Sequence, residues 1–176
     1  MSPLSRELYL NKLRDIRLLA LDVDGVLTDD SIFFGPDGFE LKKFNISDGF
    51  FIVLAMRAGL EIAVVSGRYS PATDTRMKDL GVKHVLQAMK SKIVQIKPLL
   101  DELSLDFDEI AFVGNELLDI GLARKAGLGI AVADATPELL QAVDYVTIQP
   151  GGAGAVREIL RDWFEATGRD PMDFIV

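Results

Sequence analysis

"LLALDVDGVLTDD", residues 18–30, opens as a buried strand and closes as an acidic turn. Four apolar residues, Leu18 to Leu21, run straight into Asp22, with Asp24 two positions on and Gly25 behind it. Side chains along a strand alternate faces, so if the extended backbone persists to Asp24, both carboxylates lean into one space. At about 5 Å and an effective dielectric of roughly 20, they repel by about 3 kcal/mol, a large share of a domain's net stability. A proton on one carboxyl, or a cation between the two, relieves that cost. The plainer reading, an exposed Asp-Val-Asp-Gly turn, sits poorly with so apolar a strand in front of it.

Working outward, the 176 residues suit one domain spanning 1–176, and the 49% apolar content supplies a full core. The chain has no cysteine, which excludes a disulfide framework and thiolate metal ligation. With His84 the single histidine, a Cys/His zinc site is excluded too. His84 itself falls in a strand pattern and reads as structural. Any metal must therefore be held by oxygen, which points to Mg²⁺ or a similar hard cation. The net charge is −8, with no basic stripe to offset it, so nucleic acid is not expected as a partner. No apolar run approaches the roughly 20 residues of a spanning helix, and residues 1–17 lack a signal-peptide core, so no membrane association is expected and the cytoplasm is the expected location.

Apolar runs at residues 16–21, 62–65, 82–86, 110–113, 129–132 and 145–148 read as strands. Amphipathic patterns near 49–58, 71–80, 91–103, 117–126, 137–142 and 154–164 read as helices between or after them. Continuous apolar strands separated by helices predict an α/β fold: a Rossmann-like parallel sheet with helices on both faces. Pro98, inside the helix that precedes the fourth strand, predicts a kink or a late helix start. "SIFFGPDGFELKKF", residues 31–44, breaks the rhythm: two β-type runs flank Gly-Pro-Asp-Gly. It predicts a β-hairpin flap beside the acidic pair, with an ordinary edge hairpin as the alternative.

Ligands of open α/β sheets bind beyond the carboxyl ends of the strands. There this sequence places Asp22 and Asp24; then "VVSGR" with Ser66, Gly67 and Arg68; then "AMKSK" with Lys90 and Lys92; then "VGNELLD" with Asn115, Glu116 and Asp119. Hydroxyl, ammonium and carboxylate groups in that company suit a phosphate and a cation. Spacing alone leaves Lys90 and Lys92 nearly even.

These four motifs, in this order, resemble the haloacid dehalogenase superfamily of phosphohydrolases. The opening motif, the hairpin, "FNISDG", "VVSGR" and "GGAGAVRE" resemble more closely its 3-deoxy-D-manno-octulosonate 8-phosphate phosphatase group, homotetrameric enzymes of lipopolysaccharide sugar synthesis. The resemblance implies a Mg²⁺-dependent phosphatase without a cap domain, acting on a small phosphorylated sugar acid. It assigns Asp22 as nucleophile, Asp24 as general acid and base, and Ser66 and Lys92 as phosphoryl ligands, with Gly67 and Arg68 at the substrate. Asp22, Asp24 and Asn115 would hold Mg²⁺, and Glu116 and Asp119 would support that shell. It also implies a homotetramer whose C-terminal "GGAGAVRE" segment reaches a neighbouring site. Neither gap between motifs is long enough for a cap, which fits a lid borrowed from a second copy. The apolar hairpin residues Ile32, Phe33, Phe34 and Phe39 suit packing between subunits; a hairpin folded onto its own core is the alternative.

Three positions depart from the group's pattern. Asn115 stands where an aspartate is usual, Ala153 where an arginine is usual, and Ser47 where an arginine usually precedes Asp-Gly. Arg68, Lys42 and Lys43 are candidates to supply the missing cationic charge, the lysine pair being equally readable as a solvated hairpin edge. Gly-Asn-Glu also resembles the phosphatase-like domain attached to animal CMP-sialate synthetases, so a non-catalytic assembly module is the competing reading. A phosphorylation-receiver domain uses similar residues, but its aspartate follows the third strand, where this chain offers "QAMKSK".

Overall fold

The computed structural model describes residues 4–88 and 90–175. Six strands form one parallel sheet: β1 (Leu18–Leu21), β4 (Glu61–Val65), β5 (His84–Leu86), β6 (Ile110–Gly114), β7 (Leu128–Ala131) and β8 (Tyr145–Val146), in the order β5-β4-β1-β6-β7-β8. β1 lies at the centre, pairing Leu21 with Val64 on one side and Val113 on the other. All four of its residues are buried, as a strand covered on both faces requires. Chain order reverses on the two sides of β1, so the sheet has its topological switch point where Asp22 emerges.

α2 (Ile46–Arg57) and α3 (Pro71–Leu80) connect β1 to β4 and β4 to β5; α4 (Lys92–Leu103) and α5 (Ile120–Lys125) connect β5 to β6 and β6 to β7. Right-handed crossovers running in opposite directions from β1 put the two pairs on opposite faces. α6 (Pro137–Leu140) is a single turn before β8. α7 (Ala155–Thr167) closes the α2 face, packing against α2 and against α1 (Arg6–Arg14).

Several boundaries differ from the sequence expectation, each for a local reason. α2 begins at Ile46 rather than 49, because the Asn45 side chain accepts the N–H groups of Ser47 and Asp48 at 2.8 and 3.2 Å. Gly49 is helical; a Cβ there would lie 2.3 Å from Arg76 Nη2. The predicted helix at 117–126 splits into a 3₁₀ turn, Leu117–Asp119, and α5. α4 runs from Lys92 through Pro98, so the late start is not observed. Val94, whose carbonyl lies one turn before Pro98, is exposed, so water can serve that acceptor.

The N-terminal helix α1 has no counterpart among the predicted elements, since only Tyr9 and Leu13 on it are buried. Tyr9 stacks on Tyr145 at a centroid distance of 3.7 Å, and Arg6 grips Asp162 of α7 with two bonds of 2.9 and 2.7 Å. Among the described residues no helix is long and apolar enough to cross a membrane. His84 lies at the start of β5, the edge strand, paired with Ala63 and 3.3 Å from the Glu61 carboxylate, which fits a structural residue.

The C-terminal segment, through residue 175, lies on its own chain. Pro171–Phe174 forms a 3₁₀ turn, Phe174 packs against Phe164 at 5.9 Å, and its carbonyl accepts Arg57 Nη1 at 3.0 Å. The hairpin, β2 (Phe33–Phe34) and β3 (Glu40–Leu41), does not fold onto the core: Phe34 is 71% and Phe39 53% exposed.

Candidate active site

The carboxyl edge of the sheet collects the chemistry. The Asp22 N–H donates to the Val113 carbonyl at 3.0 Å, and its Oδ1 accepts the Val23 N–H at 2.7 Å. The chain does not stay extended beyond that point. The Val23 carbonyl accepts N–H groups from Val26, Leu27 and Thr28, at 3.3, 3.0 and 3.2 Å, and the buried Thr28 hydroxyl closes the same turn. Asp24 therefore sits on a turn and not on an extension of β1, and each carboxylate meets an ammonium of its own. Lys92 Nζ is 2.9 Å from Asp22 Oδ2, whereas Lys42 Nζ bonds Asp24 Oδ1.

Gly25 makes the turn possible. Its φ of +77° is left-handed, and a Cβ there would fall 1.9 Å from Asn115 Nδ2. From behind, Gly151 and Gly152 press on this loop. A Cβ on Gly151 would lie 1.8 Å from the Gly25 carbonyl, and the Gly152 N–H donates to Val26 at 2.9 Å. The "GGAGAVRE" segment thus packs on its own chain's acidic loop. Gly25→Ala is expected to cost at least about 1–2 kcal/mol of stability from the backbone alone, before Asn115 is displaced; chemical denaturation checks it.

Lys92, at the start of α4, is buried. It donates to Asp119 Oδ1 at 2.6 Å and lies 5.5 Å from the Phe112 ring centroid. Lys90 is exposed, so it is Lys92 that the structure brings to Asp22. Asp119, fully buried, uses its other oxygen to accept the N–H groups of Asn115 and Glu116 at 2.9 and 3.1 Å. It thereby locks the turn after β6 and aims Lys92. Glu116 is exposed, and its carboxylate accepts the Leu117 N–H at 3.1 Å, so it caps its own turn. Burial first, then the Asp119 charge, pushes the Asp22 carboxyl up to about 7, against the pull of Lys92 and the Val23 N–H.

Ser66 lies just past the end of β4, where the parallel register sets it beside the acidic turn. It is buried, its hydroxyl donating to the Arg68 carbonyl at 3.0 Å and accepting the Arg68 N–H at 3.3 Å. Gly67 is exposed and lines a cleft of about 150 Å³ with Lys90, Lys92 and Leu118. Arg68 reaches back over the site, its Nε 3.5 Å from Asp24 Oδ2 and its Nη1 on Glu40 Oε2.

Glu40 stands beside the site and was not singled out in the sequence. Its Oε1 accepts the buried Ser70 hydroxyl at 2.6 Å, and the Arg68 guanidinium holds its carboxyl below the usual range. Alternation along β3 was the available signal: Glu40 and Lys42 share a face, with Leu41 exposed on the other. The lysine pair is accordingly split. Lys43 is solvated beside Asp29 at 2.8 Å, while the Lys42 side chain is fully buried against Asp24. Asp48, likewise unannounced, is buried in α2; its Oδ1 accepts the Arg157 N–H at 2.7 Å and so caps α7, whose own Gly154 cap has no side chain.

The donor set suits a hard cation. Among the described residues no group of three or more His, Cys, Asp and Glu is arranged around a metal position. The set expected from the sequence, Asp22, Asp24 and Asn115, is instead a mixed set of oxygen donors. Asn115 Oδ1 is buried with no hydrogen-bond partner, as a ligand oxygen would be.

Residues 81–159 match the family model described as haloacid dehalogenase-like hydrolase. The 3-deoxy-D-manno-octulosonate 8-phosphate phosphatase of Salmonella typhi is 43% identical over 150 residues, covering 85% of this chain and 80% of that protein. The crystal structure of the Yersinia pestis phosphatase of the same name superposes with a TM-score of 0.89 at 37% identity, covering 92% of this chain and 87% of its own. The Moraxella catarrhalis enzyme, solved with a magnesium ion, a phosphate ion and a KDO molecule, matches with a TM-score of 0.89 at 33% identity over 92% of this chain and 93% of its own.

Proposed function

We infer, for a chain that belongs to the 3-deoxy-D-manno-octulosonate 8-phosphate phosphatase family of haloacid dehalogenase-like hydrolases, that it hydrolyses the phosphomonoester of that sugar acid with Mg²⁺. The observation that carries the residue assignment is Asp22, buried at the switch point of the sheet, with Lys92 on one oxygen and the unpartnered Asn115 amide oxygen beside the same turn.

Asp22 attacks phosphorus and forms an aspartyl-phosphate as the bond to the sugar oxygen breaks. Asp24 gives a proton to that leaving oxygen, then takes one from the water that attacks the aspartyl-phosphate, releasing phosphate and restoring Asp22. Lys92 and Ser66 hold phosphoryl oxygens, with N–H groups of the Val23–Leu27 turn as further donors. Asp119 fixes Lys92 and the Asn115 turn. Gly67 and Arg68 line the substrate side. Asp22, Asn115 and the Asp24 carbonyl would hold Mg²⁺, which neutralises phosphoryl charge when bound. Glu116, spent on its own cap, is left out of that set.

We place four copies in the working particle. The support is the family resemblance together with the hairpin's Phe33, Phe34, Phe39 and Leu41, four apolar side chains each at least half exposed on one chain. A monomer in sedimentation velocity at micromolar concentration would overturn this. The chain as one domain, residues 1–176, and a cytoplasmic location complete the reading; a phosphorylated sugar acid is too highly charged to cross a bilayer unaided.

The test is phosphate release from 3-deoxy-D-manno-octulosonate 8-phosphate with Mg²⁺ titrated, against EDTA. Metal-dependent release is expected. No turnover on this or other sugar phosphates at saturating Mg²⁺ would instead support the non-catalytic module that Asn115 suggests.

A further inference from the structure

The inner face of the hairpin does something the phosphatase roles do not use. Lys42 carries a side chain with no exposed surface, and its ammonium bonds Asp24 Oδ1 and lies 3.9 Å from Glu40 Oε1. The next residue, Lys43, is 68% exposed, so burial is specific to position 42 and is not a property of the hairpin edge. Burying an ammonium is costly unless it is paired, and here its partners are Asp24 and Glu40.

Asp24 otherwise sits on a turn, a quarter of its side chain exposed, where a carboxylate rotates freely. Lys42 holds one of its oxygens and Arg68, at 3.5 Å, approaches the other. Both cations lead back to Glu40, which also grips Ser70 at the start of α3. Glu40 is thus the hub of a bracket between the hairpin, the acidic turn and the loop after β4.

We propose that Lys42 and Glu40 are positioning residues that aim the Asp24 carboxyl at the leaving oxygen, so that proton transfer to the departing alcohol depends on the hairpin. The proposal rests on the assignment of Asp24 as the acid. Misaim should matter most where the leaving group needs its proton. An alkoxide from a sugar phosphate does; the phenolate from p-nitrophenyl phosphate does so far less.

The experiment compares kcat/KM, which covers the steps through alcohol release, for 3-deoxy-D-manno-octulosonate 8-phosphate and p-nitrophenyl phosphate. Lys42→Met keeps the aliphatic stem. It is expected to lose about 10²-fold on the sugar ester and less than about threefold on the aryl ester. In an Asp24→Asn background the same substitution should add nothing on the sugar ester. Equal losses on the two esters, or full additivity with Asp24→Asn, would show a merely structural lysine and overturn the proposal. If thermal melting shows that Lys42→Met is unfolded, Glu40→Gln decides by the same ratio of losses. Failure of the underlying assignment looks different: unmodified protein without activity on either ester, or Asp24→Asn with an unchanged ratio.

Discussion

Asp22→Asn is expected to fold and to lose at least about 10⁴-fold in kcat/KM on any phosphomonoester, since an amide oxygen is a poor nucleophile and the covalent route closes. The substitution is nearly isosteric, and its carbonyl oxygen still accepts the Val23 N–H. Burial has already pushed the Asp22 carboxyl up to about 7, so a neutral amide fits the folded environment. Acid quenching during turnover should trap phosphorylated protein with the unmodified chain and none with Asp22→Asn. Turnover within a few-fold of the unmodified protein would remove Asp22 from the nucleophile role.

Asn115→Asp is expected to bind Mg²⁺ about 10–100-fold more tightly. Replacing the amide by a carboxylate adds a unit of negative charge to the donor set, and about 10–100-fold is what remains of that attraction after desolvation and screening. The structure supplies the opposite effect without metal. The added charge enters a buried turn packed against Gly25, with Asp22 and Asp119 nearby. In EDTA the variant should therefore melt below the unmodified protein, and added Mg²⁺ should reverse the order. Calorimetric titration and melting with and without Mg²⁺ check both halves. Unchanged or weaker affinity would mean that Asn115 Oδ1 does not face the metal.

Much of this site was legible in the chain because it is built from strand ends. A parallel strand is an apolar run, and the residues just past its end lie on the ligand edge; Asp22, Ser66 and Asn115 were placed by that logic alone. The same logic failed at Asp24, where three N–H groups converge on the Val23 carbonyl and end the extended backbone. It could not choose between Lys90 and Lys92, because the choice depends on Asp119, 27 residues beyond Lys92. Alternation put Glu40 and Lys42 on one face, but a two-residue strand is too short a pattern to say that this face is the one turned inward. α1 and the placement of the Pro171–Phe174 turn were not legible for a related reason: each is held by a few long-range contacts, Arg6 to Asp162 and Phe174 to Phe164, and neither has a sustained periodic face.

Gly151 and Gly152 bear on how the protein is born. They brace a loop made much earlier in the chain, and a Cβ on either would collide with the backbone of Gly25 or Thr28. Whenever that late segment is undocked, the chain holds its nucleophile and its sheet but leaves the turn that carries Asp24 unbraced, so phosphatase activity should require the segment to be seated even though neither glycine meets the reacting groups.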